Sequence, residues 1–147
     1  MVAIAHNAKL NDLVIDLGRS LLQYAAEGSA WTADHMAEQR LADCAAAQQA
    51  DVGRLVHFLV DRGWPVDLGT YPTDFTDLQF LSLEFLLPKL RENQRRLVDE
   101  LDEAVHTCVD DPEAVALLRE IAQSERRIAA DLDAMSAAGA HVATVGA

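Results

Sequence analysis

Three polar side chains fall where an α-helical period asks for apolar ones. Gln48 lies about 340° around from Leu41 at about 100° per residue, in phase with the column Leu41, Cys44, Ala45, Val52, Leu55 and Leu59. Asp51 stands one turn on. Gln94 falls between Leu90 and Leu97, and Glu125 between Ile121 and Ile128, each near the middle of its segment. Oxygen donors converging at mid-height can hold a hard cation or a small ligand. They can also close a hydrogen-bonded layer that fixes helix register, because a buried carboxylate is costly unless paired and each Gln has two N–H donors to offer. Gln48, Asp51, Gln94 and Glu125 are therefore the candidate binding set. The register layer is the role expected of them, with a ligand pocket or a wet groove at Glu125 as the other readings.

Asp34, His35 and Glu38 form a second group, at the start of the second helix, with Tyr24 expected at a similar height on the first. A mononuclear metal site could be built there, with Glu125 as the other weak metal candidate. Acidic residues in a first helical turn also complement the helix dipole without any ligand. No metal, cofactor or catalytic residue is expected. His57 and His106 read as exposed, and His6 and His141 fall in the ends. No His pairs with Ser or Cys at a triad spacing, and no GxGxxG or GxxxxGK[ST] occurs.

The elements that must position these residues are four helical segments, predicted at about 8–28, 33–62, 74–108 and 112–138, with a frayed tail over 139–147. Asn7 is a plausible first cap and Gly28 a C-terminal glycine; Leu10, Leu13, Val14, Leu17, Leu21 and Tyr24 share one face between them. The second helix begins after Ser29 or Thr32 and stops at Gly63-Trp64-Pro65. Thr76-Asp77-Leu78-Gln79 fits a capping box for the third, although Thr73 is an earlier start. Phe80, Leu83, Leu87, Leu90, Leu97, Leu101 and Ala104 carry the third stripe to Cys108, across Pro88, which should kink it. Asp111 and Pro112 open the fourth helix, whose stripe is Leu117, Leu118, Ile121, Ile128, Leu132 and Met135. The connection over 63–72 reaches about 33 Å when extended, against about 45 Å for a helix over 33–62. A loop packed along the bundle is expected there rather than a hairpin.

A chain of 147 residues supports a single domain, and 50% hydrophobic content is enough to close a core. The net charge of −12 repels phosphate backbones and anionic headgroups, so neither nucleic acid nor a membrane surface is an expected partner. Cys44 and Cys108 lack CxxC spacing and read as buried thiols. No secretory pattern or apolar run of spanning length is visible, so a cytoplasmic location is expected. Arg91, Arg95 and Arg96 beside Asp99, Glu100, Asp102 and Glu103 form a basic block next to an acidic one, which suits a self-associating dimer.

The mid-height polar positions resemble those of the ferritin-like bundles, in which two helices contribute Glu-x-x-His and two a single Glu. That resemblance implies an all-α antiparallel four-helix bundle, ferritin-like, with a longer connection between its second and third helices. Position by position, the ligand sites would be Gln48 with Asp51, Gln94, and Glu125 with Ile128, while the first helix offers Gly18, Arg19 or Ser20. Both histidines are missing and Glu125 alone is kept. The resemblance thus implies a bundle that has lost its di-iron centre and serves a structural or interaction role. The alternatives are an atypical metal-binding oxidoreductase, or a bundle holding a small apolar ligand lined by Trp31, Trp64 and Phe80.

Overall fold

The structure is a computed structural model that describes the backbone of residues 2–146 and the side chains of 4–28 and 30–137. It is all-helical: α1 (Val2–Gly18), α2 (Leu21–Tyr24) running into a π turn (Ala25–Ser29), α3 (His35–Asp61), a 3-10 turn (Thr73–Leu78), α4 (Leu83–Thr107) and α5 (Pro112–Gly146). Among the described residues no strand ladder forms, and no helix is long and apolar enough to cross a membrane.

The first predicted helix is two. α1 starts at Val2, ahead of Asn7, so Asn7 is a buried helical residue rather than a cap. The helix then breaks at Arg19 and Ser20. Ser20 takes an extended conformation, its hydroxyl accepts the N–H of Gln23, and Asn93 Oδ1 accepts that of Leu21 at 3.2 Å. The orphan donors of a new helix start are thereby satisfied. At the other end Gly28 has the positive φ of 107° expected of a C-terminal glycine.

α3 follows its sequence signals closely. Asp34 caps it by accepting from Met36 and Ala37, and Gly63 ends it at φ 74°. The third helix is the clearest correction. The Thr76 hydroxyl donates to Thr73 O at 2.6 Å within a short 3-10 turn, instead of opening a long helix. Phe80 then turns the chain at φ 62° and is exposed, not core, and Ser82 caps α4 by accepting from Phe85. The helix continues through Pro88, which has no N–H to offer the carbonyl of Glu84. α5 opens as expected, with Asp111 Oδ1 accepting from Ala114. Its backbone stays helical to Gly146, over residues 139–146 of the stretch expected to fray; Ala147 and the side chains from 138 on lie outside the described residues.

Neighbouring helices run in opposite directions. Asn7 meets Arg62 and Ser20 meets Gln48 between α1 and α3. Leu21 meets Asn93 and Asp16 meets Glu100 on the α4 side. Gln48 meets Glu125 and Arg62 meets Asp111 between α3 and α5, while Arg91 meets Asp133 and Asp102 meets Arg126 between α4 and α5. α3 and α4 consequently run the same way, and the chain over 62–82 must travel back along the molecule.

It does so against α1, as a packed loop. Asn11 Nδ2 donates to Asp67 O at 2.9 Å and its Oδ1 accepts from Asp67 N at 2.9 Å. Arg19 reaches the carbonyls of Leu68 and Gly69 at 3.3 Å, and the Tyr71 hydroxyl donates to Glu27 at 2.8 Å. Gly69 sits at φ 65°, and a Cβ there would come within 2.6 Å of Ile15 Cγ2. Gly69→Ala is expected to cost about 2–3 kcal/mol in urea denaturation, combining left-handed strain with that overlap. A change under about 0.5 kcal/mol would mean that the loop does not press on α1.

The apolar stripes form two core clusters. One gathers Leu10 to Leu17, Val52 to Leu59, Leu97 to Cys108 and Ala114 to Ala122; the other gathers Leu21 to Ala25, Leu41 to Ala45, Leu83 to Leu90 and Ile128 to Met135. In sequence, each helix changes cluster at its polar position.

Candidate functional site: a buried polar layer between two cores

Gln48, Asp51, Gln94 and Glu125 come together as the helical phase indicated, and all four are buried, Glu125 completely. Gln48 is the hub. Its Nε2 donates to Glu125 Oε1 at 2.8 Å and to Gln94 Oε1 at 3.2 Å. Its Oε1 accepts from the Ser20 hydroxyl at 2.6 Å and from Gln23 Nε2 at 3.0 Å. Gln94 Nε2 in turn donates to the Glu125 carboxyl at 2.9 Å and to its backbone carbonyl at 3.0 Å. Gln23 completes its own set by donating to Ala45 O at 2.9 Å and accepting from Gln49 at 2.8 Å. Gln48 thus makes all four hydrogen bonds its amide allows.

The layer's remaining oxygens are Asp51 Oδ2 and Glu125 Oε2, which receive no N–H or hydroxyl donor. The Asp51 carboxyl lies close enough to raise that of Glu125, and two neighbouring buried carboxyls favour protonation of one of them. Burial pushes the Glu125 carboxyl up to about 8, the Asp51 carboxyl adds to the rise, and the donors of Gln48 and Gln94 partly oppose it. So raised, the Glu125 carboxyl keeps its proton at neutral pH.

Ser20, one of the three first-helix residues expected at this height, belongs to the layer, and so does Gln23, which the helical period did not single out because the break at Arg19 and Ser20 restarts the count. Ser20-Leu21-Leu22-Gln23 is itself a capping box, the signal that would have found Gln23. His6 is a further surprise: it is buried, with Nε2 3.2 Å from Asp110 and Nδ1 3.6 Å from Asp111, near the bidentate pair of Arg62 with Asp111 at 2.7 and 2.8 Å. A second carboxyl pair, Asp16 with Glu100, lies on the α1 and α4 side beside a pocket of about 190 Å³, and burial followed by the Asp16 carboxyl pushes Glu100 up to about 7.

The other candidates do not converge. Asp34 is engaged in capping, while His35 Nδ1 stands 3.6 Å from Glu38 Oε2 with both side chains in solvent. Tyr24 packs instead on Tyr71 and Phe75, at ring separations of 5.2 and 5.5 Å. Trp31 and Phe80 are 64% and 83% exposed, whereas Trp64 packs on the other core cluster and donates to Asn11 at 3.3 Å, so the three line no common cavity. His57 and His106 are exposed, and His141 lies outside the described side chains. Both cysteines are buried, and burial with Asp131 and Asp43 nearby pushes the Cys44 thiol up to about 11, which suits an inert core residue.

The di-iron centre implied by the architectural resemblance does not fit these residues. Its positions hold amides whose N–H groups are turned onto Glu125 Oε1, amide oxygens already occupied by Ser20, Gln23 and Gln48, and Ile128 in the core. Two hard cations need mostly anionic oxygen and nitrogen donors, and only Asp51 and Glu125 are ionisable here. Among the described residues no group of three or more His, Cys, Asp or Glu is arranged to hold a metal. No family model, no curated protein and no solved structure matches this chain.

Proposed function

We propose that the chain is a ferritin-like four-helix bundle in which a proton-holding polar layer stands in place of the di-iron centre, and that it acts as a non-catalytic structural or interaction module. The carrying observation is the closure of the layer: Ser20, Gln48, Gln94 and Glu125 satisfy one another at the height where that architecture places its metals. Antiparallel neighbours and a long packed connection before α4 support the architecture. The layer's work is specificity, since a slip of any helix by one turn would strand several buried polar groups. Self-association as a cytoplasmic dimer belongs to the same proposal. The charged face of α4 is partly engaged within the chain, Arg91 and Arg95 with Asp133 and Asp102 with Arg126, while Arg96, Asp99 and Glu103 are among its exposed charges.

Elemental analysis of protein purified without chelators, paired with thermal melts in Fe²⁺ and Zn²⁺, tests the reading. No stoichiometric metal and an unmoved midpoint are expected, because an ion that binds the native state must stabilise it. Stoichiometric iron, manganese or zinc would overturn the reading in favour of an oxidoreductase built on Asp51 and Glu125. A monomeric mass in light scattering at low micromolar concentration would remove the dimer.

A further inference from the structure

The first helical stretch and α4 run antiparallel, and their register sets like charges opposite each other. Leu21 N donates to Asn93 Oδ1 at 3.2 Å, and further along the same interface the Asp16 carboxyl lies against that of Glu100. Arg19 and Arg96 fall on the rung between these two contacts, about 4.5–6 Å from the acidic rung at about 1.5 Å per residue. All four side chains line one cleft of about 190 Å³, walled on its third side by the packed loop at Thr70, Pro72 and Phe75. Helical spacing would let Asp16 pair with Arg19 and Arg96 with Glu100. Neither pairing closes to an ion pair among the described residues, whereas His35 with Glu38 and His57 with Asp61 do so at the same spacings. Arg19 instead donates from Nε to the carbonyls of Leu68 and Gly69 and stands 5.3 Å over the Tyr71 ring. Arg96 acts on Glu100 only at a distance, and so does Lys9, from a neighbouring groove that it lines with Asp12 and Glu103.

Like charges held face to face repel, so each rung lacks a counter-ion of its own. A lone cation answers only the carboxyls and a lone anion only the guanidinium groups. A molecule that carries an ammonium and a carboxylate a short distance apart answers both rungs at once, the carboxylate taking charge-assisted N–H bonds from the arginines. Asn93 adds a neutral donor to the cleft, its Oδ1 spent on Leu21 and its Nδ2 donating to no described residue. The volume lies below the roughly 300–1,000 Å³ of drug-sized pockets, so the occupant is small, and Ile15 and Leu97 supply an apolar wall. We propose that this cleft binds a small α-amino acid with an apolar side chain, its ammonium between Asp16 and Glu100, its carboxylate between Arg19 and Arg96, and its side chain against Ile15 and Leu97.

Isothermal titration calorimetry of the full chain with L-leucine tests this against isoamylamine, which lacks the carboxylate, and isocaproate, which lacks the ammonium. Leucine is expected to bind about tenfold or more tightly than either, because each analogue leaves one rung without its counter-ion. Arg96→Gln should weaken leucine binding about tenfold or more, while Arg40→Gln, in the groove between α3 and α5, leaves it unchanged. Asp16→Asn relieves the repulsion of the acidic rung, so it should melt at or above the parent temperature while binding leucine about tenfold more weakly. No leucine binding up to about 10 mM, binding that isoamylamine or isocaproate matches, or an affinity indifferent to Asp16 and Arg96 would overturn the proposal.

Discussion

Gln48→Ala is expected to destabilise the protein by about 3–5 kcal/mol in equilibrium urea denaturation, among the largest effects of any single truncation in the molecule. The side chain is fully buried and makes four hydrogen bonds, so its removal leaves the Ser20 hydroxyl, one Gln23 N–H, Gln94 Oε1 and one bond to the Glu125 carboxyl without their partner. Each stranded buried group costs about 1–3 kcal/mol, and the void left between two apolar clusters adds a cavity term. Relaxation of the neighbours recovers part of this. Gln49→Ala is the matched control, because Gln49 is exposed and makes a single bond to Gln23; it should cost about 1 kcal/mol or less. Similar losses for the two variants would show that the layer does not set stability.

Raising the pH from about 5 to 8.5 is expected to remove roughly 3–4 kcal/mol of stability through Glu125. Its carboxyl ionises near 4.5 in the unfolded chain and is pushed up to about 8 in the fold. The native state therefore binds the proton more tightly. That contribution is fully present below pH 4.5, declines as the pH rises, and is gone once the folded group ionises above about 8. Asp51 and the thiol of Cys44 from α3 are the titratable groups nearest Glu125, while α4 and Ser20 bring it only neutral donors and acceptors. Glu100, raised to about 7, acts in the same direction more weakly because solvent screens it. Asp111 acts oppositely: the Arg62 guanidinium holds it down to about 2, so its contribution is lost as the pH falls through that value. Glu125→Gln separates these effects. An amide at 125 can accept from Gln48 and Gln94 and donate to Asp51 with no proton to lose, so its stability should match the parent near neutrality and lose most of the decline towards pH 8.5. An unchanged slope in this variant would locate the titration elsewhere.

The layer was legible where its helices are regular. Gln48, Asp51, Gln94 and Glu125 occupy uninterrupted stretches of α3, α4 and α5, so counting the period places them correctly. Where the backbone departs from a helix the count fails. The break at Ser20 hid Gln23, and the 3-10 turn with left-handed Phe80 moved that ring from an expected core stripe into water. The Thr76 box shows why: a local capping signal competes with a second one six residues on, and Ser82 wins because Leu83, Leu86, Leu87 and Leu90 bury fully from that start. His6 escaped because its partners Asp110 and Asp111 are distant in sequence and meet it only once α1 and α5 lie together. The chemistry of the pair Asp51 with Glu125 was likewise invisible, since neither residue type reveals that α3 and α5 bring the two carboxyls close together.

Infrared spectroscopy of the carboxyl C=O stretch addresses the Glu125 proton itself. At pH 6.5, where exposed carboxylates are ionised, the parent protein should show a protonated-acid band that fades by pH 9; Glu125→Gln should remove the Glu125 share and leave that of Glu100, and Glu125→Gln with Glu100→Gln should remove both. Absence of the Glu125 share at pH 6.5, with both Asp51 and Glu125 ionised, would contradict the account, because two buried carboxylates in contact would then need a bound cation to hold them together.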